Sequence, residues 1–157
     1  TIVKKESELA DAVKLAFNFD DKVLVEKYIY GRLLTVGIIG DEPVALPVLE
    51  IRPKSGFYDY ASKYTPGLTE YLIPAPIKKT EAEMITDTAL KCHRALECSA
   101  LSRVDLILGD DKKAYFLEVN TIPGMTPTSL VPKAASCCGI NFDMLVEIIL
   151  NCASLKL

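Results

Sequence analysis

The sequence predicts an α+β domain in which helices pack on an antiparallel sheet. Three observations carry this expectation. Short runs rich in Val, Ile, Leu and Tyr recur with links too short to hold a crossover helix, so neighbouring strands must run antiparallel. Two stretches, Thr80–Glu97 and Phe142–Ala153, carry apolar residues at helical spacing. Half of the 157 residues are hydrophobic and a quarter are charged. That balance suits one compact domain able to bury a core without metal or disulfide staples.

The elements follow in order. Ser7 to Phe17 reads as a helix capped by Ser7, with Leu9, Val13, Leu15 and Ala16 as its apolar stripe. Val23 to Ile29 (VLVEKYI) reads as a strand ended by Gly31. Leu33 to Ile39 is the second strand, and Gly40-Asp41-Glu42-Pro43 turns the chain into a third, Val44 to Ile51. Arg52 to Gly67 has no periodicity and carries Pro, Gly, Tyr and Lys, the mark of a long functional loop. Thr80 to Glu97 is a helix with Thr80 and Glu83 as a capping box and Met84, Thr88, Cys92 and Ala95 along one side. Arg103 to Leu108 and Ala114 to Val119 form a hairpin around Gly109-Asp110-Asp111-Lys112. Asn120 to Thr128 is a loop. Phe142 to Ala153 closes the chain as an amphipathic helix with Met144, Leu145, Ile148, Ile149 and Cys152 inward.

Composition excludes several classes. Eighteen basic and 21 acidic residues leave a net charge of −3, with no basic field for a nucleic-acid backbone. The longest apolar runs, Leu33–Ile39 and Leu145–Leu150, fall well short of the about 20 residues that span a bilayer. No signal peptide is visible. The five cysteines form no CxxC, and His93 is the only histidine. Zinc ligation and a disulfide framework are therefore disfavoured, and thiols kept in a reducing cytoplasm are expected.

The chemistry concentrates in the hairpin. Glu118 and Asn120 are two residues apart on one strand and share a face. Symmetric pairing about residues 110 and 111 places Asp105 near residue 116, on that same face, with Arg103 beside it. Two carboxylates and a neutral amide suit Mg²⁺, and the guanidinium offers a fork of donors to a phosphoryl group. A structural ion pair on a solvated sheet face fits the same pattern. In the loop that follows, Gly124 allows a backbone N–H to approach a ligand closely. Ser129 precedes an apolar helical turn, where it serves either a carboxylate or the helix as its cap. Lys63 and Tyr64 sit among Tyr58 and Tyr60 in the long loop. Glu26, Lys27 and Ile29 lie where strand-end backbone groups could meet a purine edge.

With these segments in hand, the sequence resembles the D-alanine–D-alanine ligase family, in the carboxy-terminal part of its ATP-grasp fold. The resemblance spans nearly the whole chain. It rests on VLVEKYI-x-GR-x-LTV, LPVLEI, GFYDYASKYTPG, SRVDLIL and FLEVNTIPGMTPTSLVPKAA.

The resemblance implies ATP-dependent joining of two D-alanines through an acyl phosphate, for peptidoglycan precursors. Asp105, Glu118 and Asn120 match ligands to two Mg²⁺ (or Mn²⁺) ions, with Glu118 bridging. Arg103 and the Gly124 N–H match the groups that steady the transferred phosphoryl and the tetrahedral intermediate. Ser129 and the Leu130 backbone match contacts to the second D-alanine's carboxylate. Lys63 matches the lysine that reaches the γ-phosphate, and Tyr64 the tyrosine that closes over the substrates and favours a dipeptide product. Glu26, Lys27 and Ile29 match the adenine hinge. ATP and D-alanine are the implied partners, with a homodimer in the intact enzyme and neither nucleic acid nor membrane involved.

Two departures stand out. Leu33 occupies the position where the family carries a Glu for the ATP ribose. The amino-terminal domain and the subdomain with the phosphate-binding lysines have no counterpart in residues 1–157. This chain alone is therefore expected to be inactive. The alternative is a catalytically incompetent fragment that only binds nucleotide or a partner chain.

Overall fold

A computed structural model describes residues 1–54, 65 and 67–153. The elements are α1 (Leu9–Ala16), β1 (Gly31–Ile39), β2 (Val44–Ala45), β3 (Leu49–Pro53), β4 (Thr69–Leu72), α2 (Lys79–Ala95), β5 (Leu101–Gly109), β6 (Ala114–Asn120), α3 (Leu130–Ser136) and α4 (Phe142–Asn151). The strands form one sheet in the order β4-β3-β1-β5-β6, with β2 also paired to β1. Every pairing is antiparallel. The expected α+β class therefore holds.

Side chains alternate across this sheet, and the two faces have different fates. On one face Leu34, Val36 and Ile38 of β1 join Val104, Leu106 and Leu108 of β5. They pack against Ile85 and Ala89 of α2 in a buried core. The other face is covered over only part of its area. Ile39 and Leu46 pack there with Val131, Ala134 and Ala135 of α3 and Leu145 of α4. The rest of that face, running past Leu33, Asp105 and Ile107, lines an open groove.

Several local expectations are corrected. Val23–Ile29 is not a strand: residues 23–30 carry no regular secondary structure, and among the described residues no strand pairs with them. High β-propensity needs a neighbour to take the backbone groups, and Gly31 opens β1 instead of ending an earlier strand. Ser7 lies in a 3₁₀ turn, Glu6–Glu8, ahead of α1, and no residue of α1 is buried. The third strand is split into β2 and β3. Pro47 lies in the break and supplies no N–H to a ladder. β4 was not anticipated; it pairs with β3 over Glu50↔Leu72 to Pro53↔Thr69.

The helix over Thr80–Glu97 is present, but its start is earlier. Glu81 accepts from the Lys78 N–H at 3.0 Å, so Thr80 and Glu83 do not form the cap. Its buried line is Ile85, Ala89 and His93, with Met84 and Cys92 flanking. In α4 the Asn141 side chain accepts from the Met144 N–H at 2.9 Å, while Met144 itself is exposed. The five thiols are free, and Cys137 and Cys138 are exposed.

Candidate functional site

The hairpin β5–β6 brings the predicted side chains together. Arg103 lies opposite Asn120 and Asp105 opposite Glu118, all on the groove face. The expected pairing of Asp105 near residue 116 is wrong by two residues. Near the turn, Leu106 pairs with Phe116 and Leu108 with Ala114, so the pairing centre lies half a residue further along. A register shift between Asp105 and Leu106 then adds one more residue on β6. Two single-residue errors in the same direction restore the side-chain parity, so the predicted face survives.

The electrostatics are tight around Asp105. Arg103 Nε donates to its Oδ1 at 3.0 Å and Nη2 to its Oδ2 at 2.8 Å. The same Nη2 lies 3.9 Å from Glu118 Oε1. Arg103 and Asp105 are largely covered, with side chains 19% and 14% exposed, whereas Glu118 is 66% exposed. Asn120 Oδ1 accepts from the Ile122 N–H at 3.1 Å and so starts the loop that leads away from β6.

That loop folds back on the groove. A Cβ on Gly124 would sit 3.0 Å from Ser129 Oγ, so a larger residue would crowd the serine. Ser129 stands at the N-cap position of α3 but does not cap it with its side chain. Its hydroxyl instead accepts from the Thr126 N–H at 3.1 Å and lies 2.8 Å from Thr126 Oγ1. The helix-cap alternative for this hydroxyl is thereby excluded in this conformation. Ser129, Leu130 and Gly124 line the groove with the hairpin residues.

Glu26 and Ile29 also line this groove, whose volume is about 1270 Å³. Lys27 is exposed and does not line it. Lys63 and Tyr64 lie outside the described residues. Among the described residues no group of three His, Cys, Asp or Glu side chains is placed to hold a metal ion. The donor set is instead two facing carboxylates, Asp105 and Glu118, with the Asn120 amide alongside. Hard oxygen donors beside an open groove fit a divalent cation that keeps waters and phosphate oxygens in its shell.

Sequence reasoning missed two features around the groove. Glu50, only 4% exposed, accepts from both Arg32 and Arg52. Burial alone would push its carboxyl up; the Arg32 hydrogen bonds and the charges of Arg32 and Arg52 more than offset this and hold it below the ordinary carboxylate range. Lys133 of α3 sits over the Tyr71 ring of β4, 4.4 Å from its centre, tying the edge strand to the helix that follows Ser129. Glu50 and Arg52 are two apart on β3 and so share a face, but the Arg32–Glu50 and Lys133–Tyr71 pairings join residues from separate elements and have no local sequence signal.

Comparisons with known proteins show the family. A family model described as the D-Ala D-Ala ligase C-terminus matches residues 1–151. A D-alanine–D-alanine ligase of Syntrophotalea carbinolica is 51% identical over 156 residues, covering 99% of this chain and 50% of that protein. One from Geotalea uraniireducens is 46% identical over 157 residues, with 100% and 50% covered. Among solved structures, the Bacillus anthracis D-alanine–D-alanine ligase complexed with ATP superposes with a TM-score of 0.77 at 35% identity, over 97% of this chain and 49% of that one. A D-Ala:D-Ser ligase from Enterococcus faecalis gives 0.80 at 35% identity, over 94% and 43%. The chain thus spans about half the length of the relatives it matches. On this evidence the chain belongs to the D-alanine–D-alanine ligase family and has the fold of the carboxy-terminal part of an ATP-grasp ligase.

Proposed function

We propose that residues 1–157 form the carboxy-terminal catalytic portion of a cytoplasmic, ATP-dependent D-alanine–D-alanine ligase that supplies peptidoglycan precursors. The observation that carries this reading is the convergence of Arg103, Asp105, Glu118 and Asn120 on one face of the β5–β6 ribbon, beside Gly124 and Ser129. In the reaction, the first D-alanine carboxylate takes the γ-phosphoryl of ATP and releases ADP. The amine of the second D-alanine then attacks the acyl phosphate carbon, and inorganic phosphate leaves.

The chain's own residues have distinct tasks. Asp105, Glu118 and Asn120 would hold two divalent cations, Mg²⁺ or Mn²⁺, with Glu118 shared. When bound, the cations offset negative charge on the moving phosphoryl group. Arg103 donates to the same oxygens, and the Gly124 N–H completes the site for the tetrahedral intermediate. Ser129 and the Leu130 backbone orient the second D-alanine by its carboxylate. Glu26, with backbone groups of Lys27 and Ile29, meets the adenine. Lys63 and Tyr64, which follow β3 in the sequence, reach the γ-phosphate and close over the substrates. A homodimer of the intact enzyme belongs to this reading.

Glu118→Gln in the full-length protein should abolish Mg²⁺-dependent phosphate release from ATP and D-alanine; near-normal turnover would overturn the reading. A second reading has one observation in its favour: Leu33 presents an apolar side chain to the groove. Under it, the protein binds nucleotide or a partner chain without catalysis. Calorimetry with Mg-ATP separates the two, since tight binding without turnover supports the second. The 157-residue chain by itself should turn over neither ATP nor D-alanine at a useful rate.

A further inference from the structure

Thr35 is one of the few buried polar residues described, with 2% of its surface exposed. It lies on β1 directly across from Asp105 on β5. Its Oγ1 is 2.5 Å from Asp105 Oδ1 and 3.3 Å from the Val104 carbonyl oxygen. A hydroxyl has one proton to give. The short contact to an ionised acceptor takes it, because charge-assisted hydrogen bonds are both shorter and stronger.

A carboxylate offers about four lone-pair positions, two on each oxygen. On Asp105, Oδ1 accepts from Thr35 Oγ1 and Arg103 Nε, and Oδ2 accepts from Arg103 Nη2. Among the described residues one position therefore stays open, and it belongs to Oδ2. Arg103 is two residues along the same strand and, with Nη2 3.9 Å from Glu118 Oε1, leans toward β6; it does not tie the carboxylate to β1. Thr35 does so from the neighbouring strand, where nine consecutive pairs from Gly31↔Gly109 to Ile39↔Leu101 hold β1 against β5.

We infer that Thr35 is a positioning residue for the cation site: its hydroxyl anchors Asp105 Oδ1 to β1 and so presents Oδ2 to the divalent ion. This rests on the metal-site reading above. Groups that orient a metal ligand affect affinity about 10–100-fold when removed.

The test is Mn²⁺ binding to the full-length protein with a non-hydrolysable ATP analogue, followed by the electron paramagnetic resonance signal of free Mn²⁺. Thr35→Val and Thr35→Ala, both lacking the hydroxyl, should weaken Mn²⁺ binding about tenfold or more. Thr35→Ser should stay within about twofold of wild type, a rescue that a purely packing role would not produce. The two hydroxyl-free variants guard against one of them failing to fold, which thermal melts report. Wild-type Mn²⁺ affinity in either folded variant would overturn the inference. Asp105→Asn separates the two levels. If it loses Mn²⁺ while Thr35→Val keeps it, only the role of Thr35 fails. If Asp105→Asn itself binds Mn²⁺ like wild type, the metal-site reading fails, and the inference with it.

Discussion

Arg32 and Glu50 are joined by two parallel hydrogen bonds, Nε to Oε1 at 2.8 Å and Nη2 to Oε2 at 2.6 Å, between adjacent strands. Arg32 also donates to the Pro76 carbonyl oxygen at 3.0 Å, and Arg52 Nη2 reaches Glu50 Oε2 at 2.9 Å. One nearly buried carboxylate thus holds two guanidinium groups at the β1–β3 pairing, inside the sheet. Glu50→Ala leaves both guanidinium groups without it. Because both are partly solvated, the loss should be about 1–3 kcal/mol, short of the cost of a fully buried pair. The urea midpoint should drop accordingly. The carboxyl is held low, so this contribution is complete above its ordinary value of 4.5 and is lost as pH falls below it.

Gly31 faces Gly109 across β1 and β5, and a Cβ there would lie 2.3 Å from the Leu108 carbonyl oxygen and 2.8 Å from Gly109 Cα. Backbone atoms cannot give way cheaply. Gly31→Ala should cost about 1–3 kcal/mol by forcing the strand ends apart. Gly37→Ala, whose Cβ would meet the tips of Leu46 and Val131 at 3.0 Å and 3.3 Å, should cost less. Paired urea titrations of the two variants give the ordering.

Leu33 lies on β1 between Ile51 and Ile107 on the groove face. Under the proposed function it stands where the ATP ribose would need an acceptor. Leu33→Glu should therefore tighten Mg-ATP binding about tenfold or more, since a hydrogen bond to a charged group is worth about 1.5–3 kcal/mol. Isothermal titration calorimetry reads this directly. Unchanged affinity would move the ribose away from this strand.

His93 of α2 is 2% exposed, and its Nδ1 shares a 2.7 Å hydrogen bond with the fully buried Ser102 Oγ. Burial holds the imidazole below its ordinary value of 6.5; the Arg94 charge adds to this, and a backbone hydrogen bond at Cys98 opposes it. The folded state therefore favours the neutral ring. The stability it contributes is complete above the unfolded value and is lost as pH falls through the lower folded one. The melting temperature should decline from about pH 7 to about pH 5.5, and His93→Gln should flatten that decline.

Patterns confined to one element or one hairpin were legible in the residues. The α2 and α4 helices, the β5–β6 hairpin and the shared face of Asp105, Glu118 and Asn120 all follow from periods of 3.6 and 2. The stretch VLVEKYI was misleading for the same reason. Its composition favours a strand, yet strands exist only where another strand answers. Thr69–Leu72 failed in the other direction: four residues give no usable period, and only pairing with β3 makes them a strand.

The amino-acid order thus determined which side chains share a surface and what chemistry that surface offers, because local periodicity sets where each Cβ points. Tertiary structure alone decided what stands across from them. Thr35 reaches Asp105 over 70 positions of chain, and Arg32 reaches Glu50 over 18 and the Pro76 carbonyl oxygen over 44. Such contacts depend on how strands and loops are brought side by side, and no spacing along the chain encodes that.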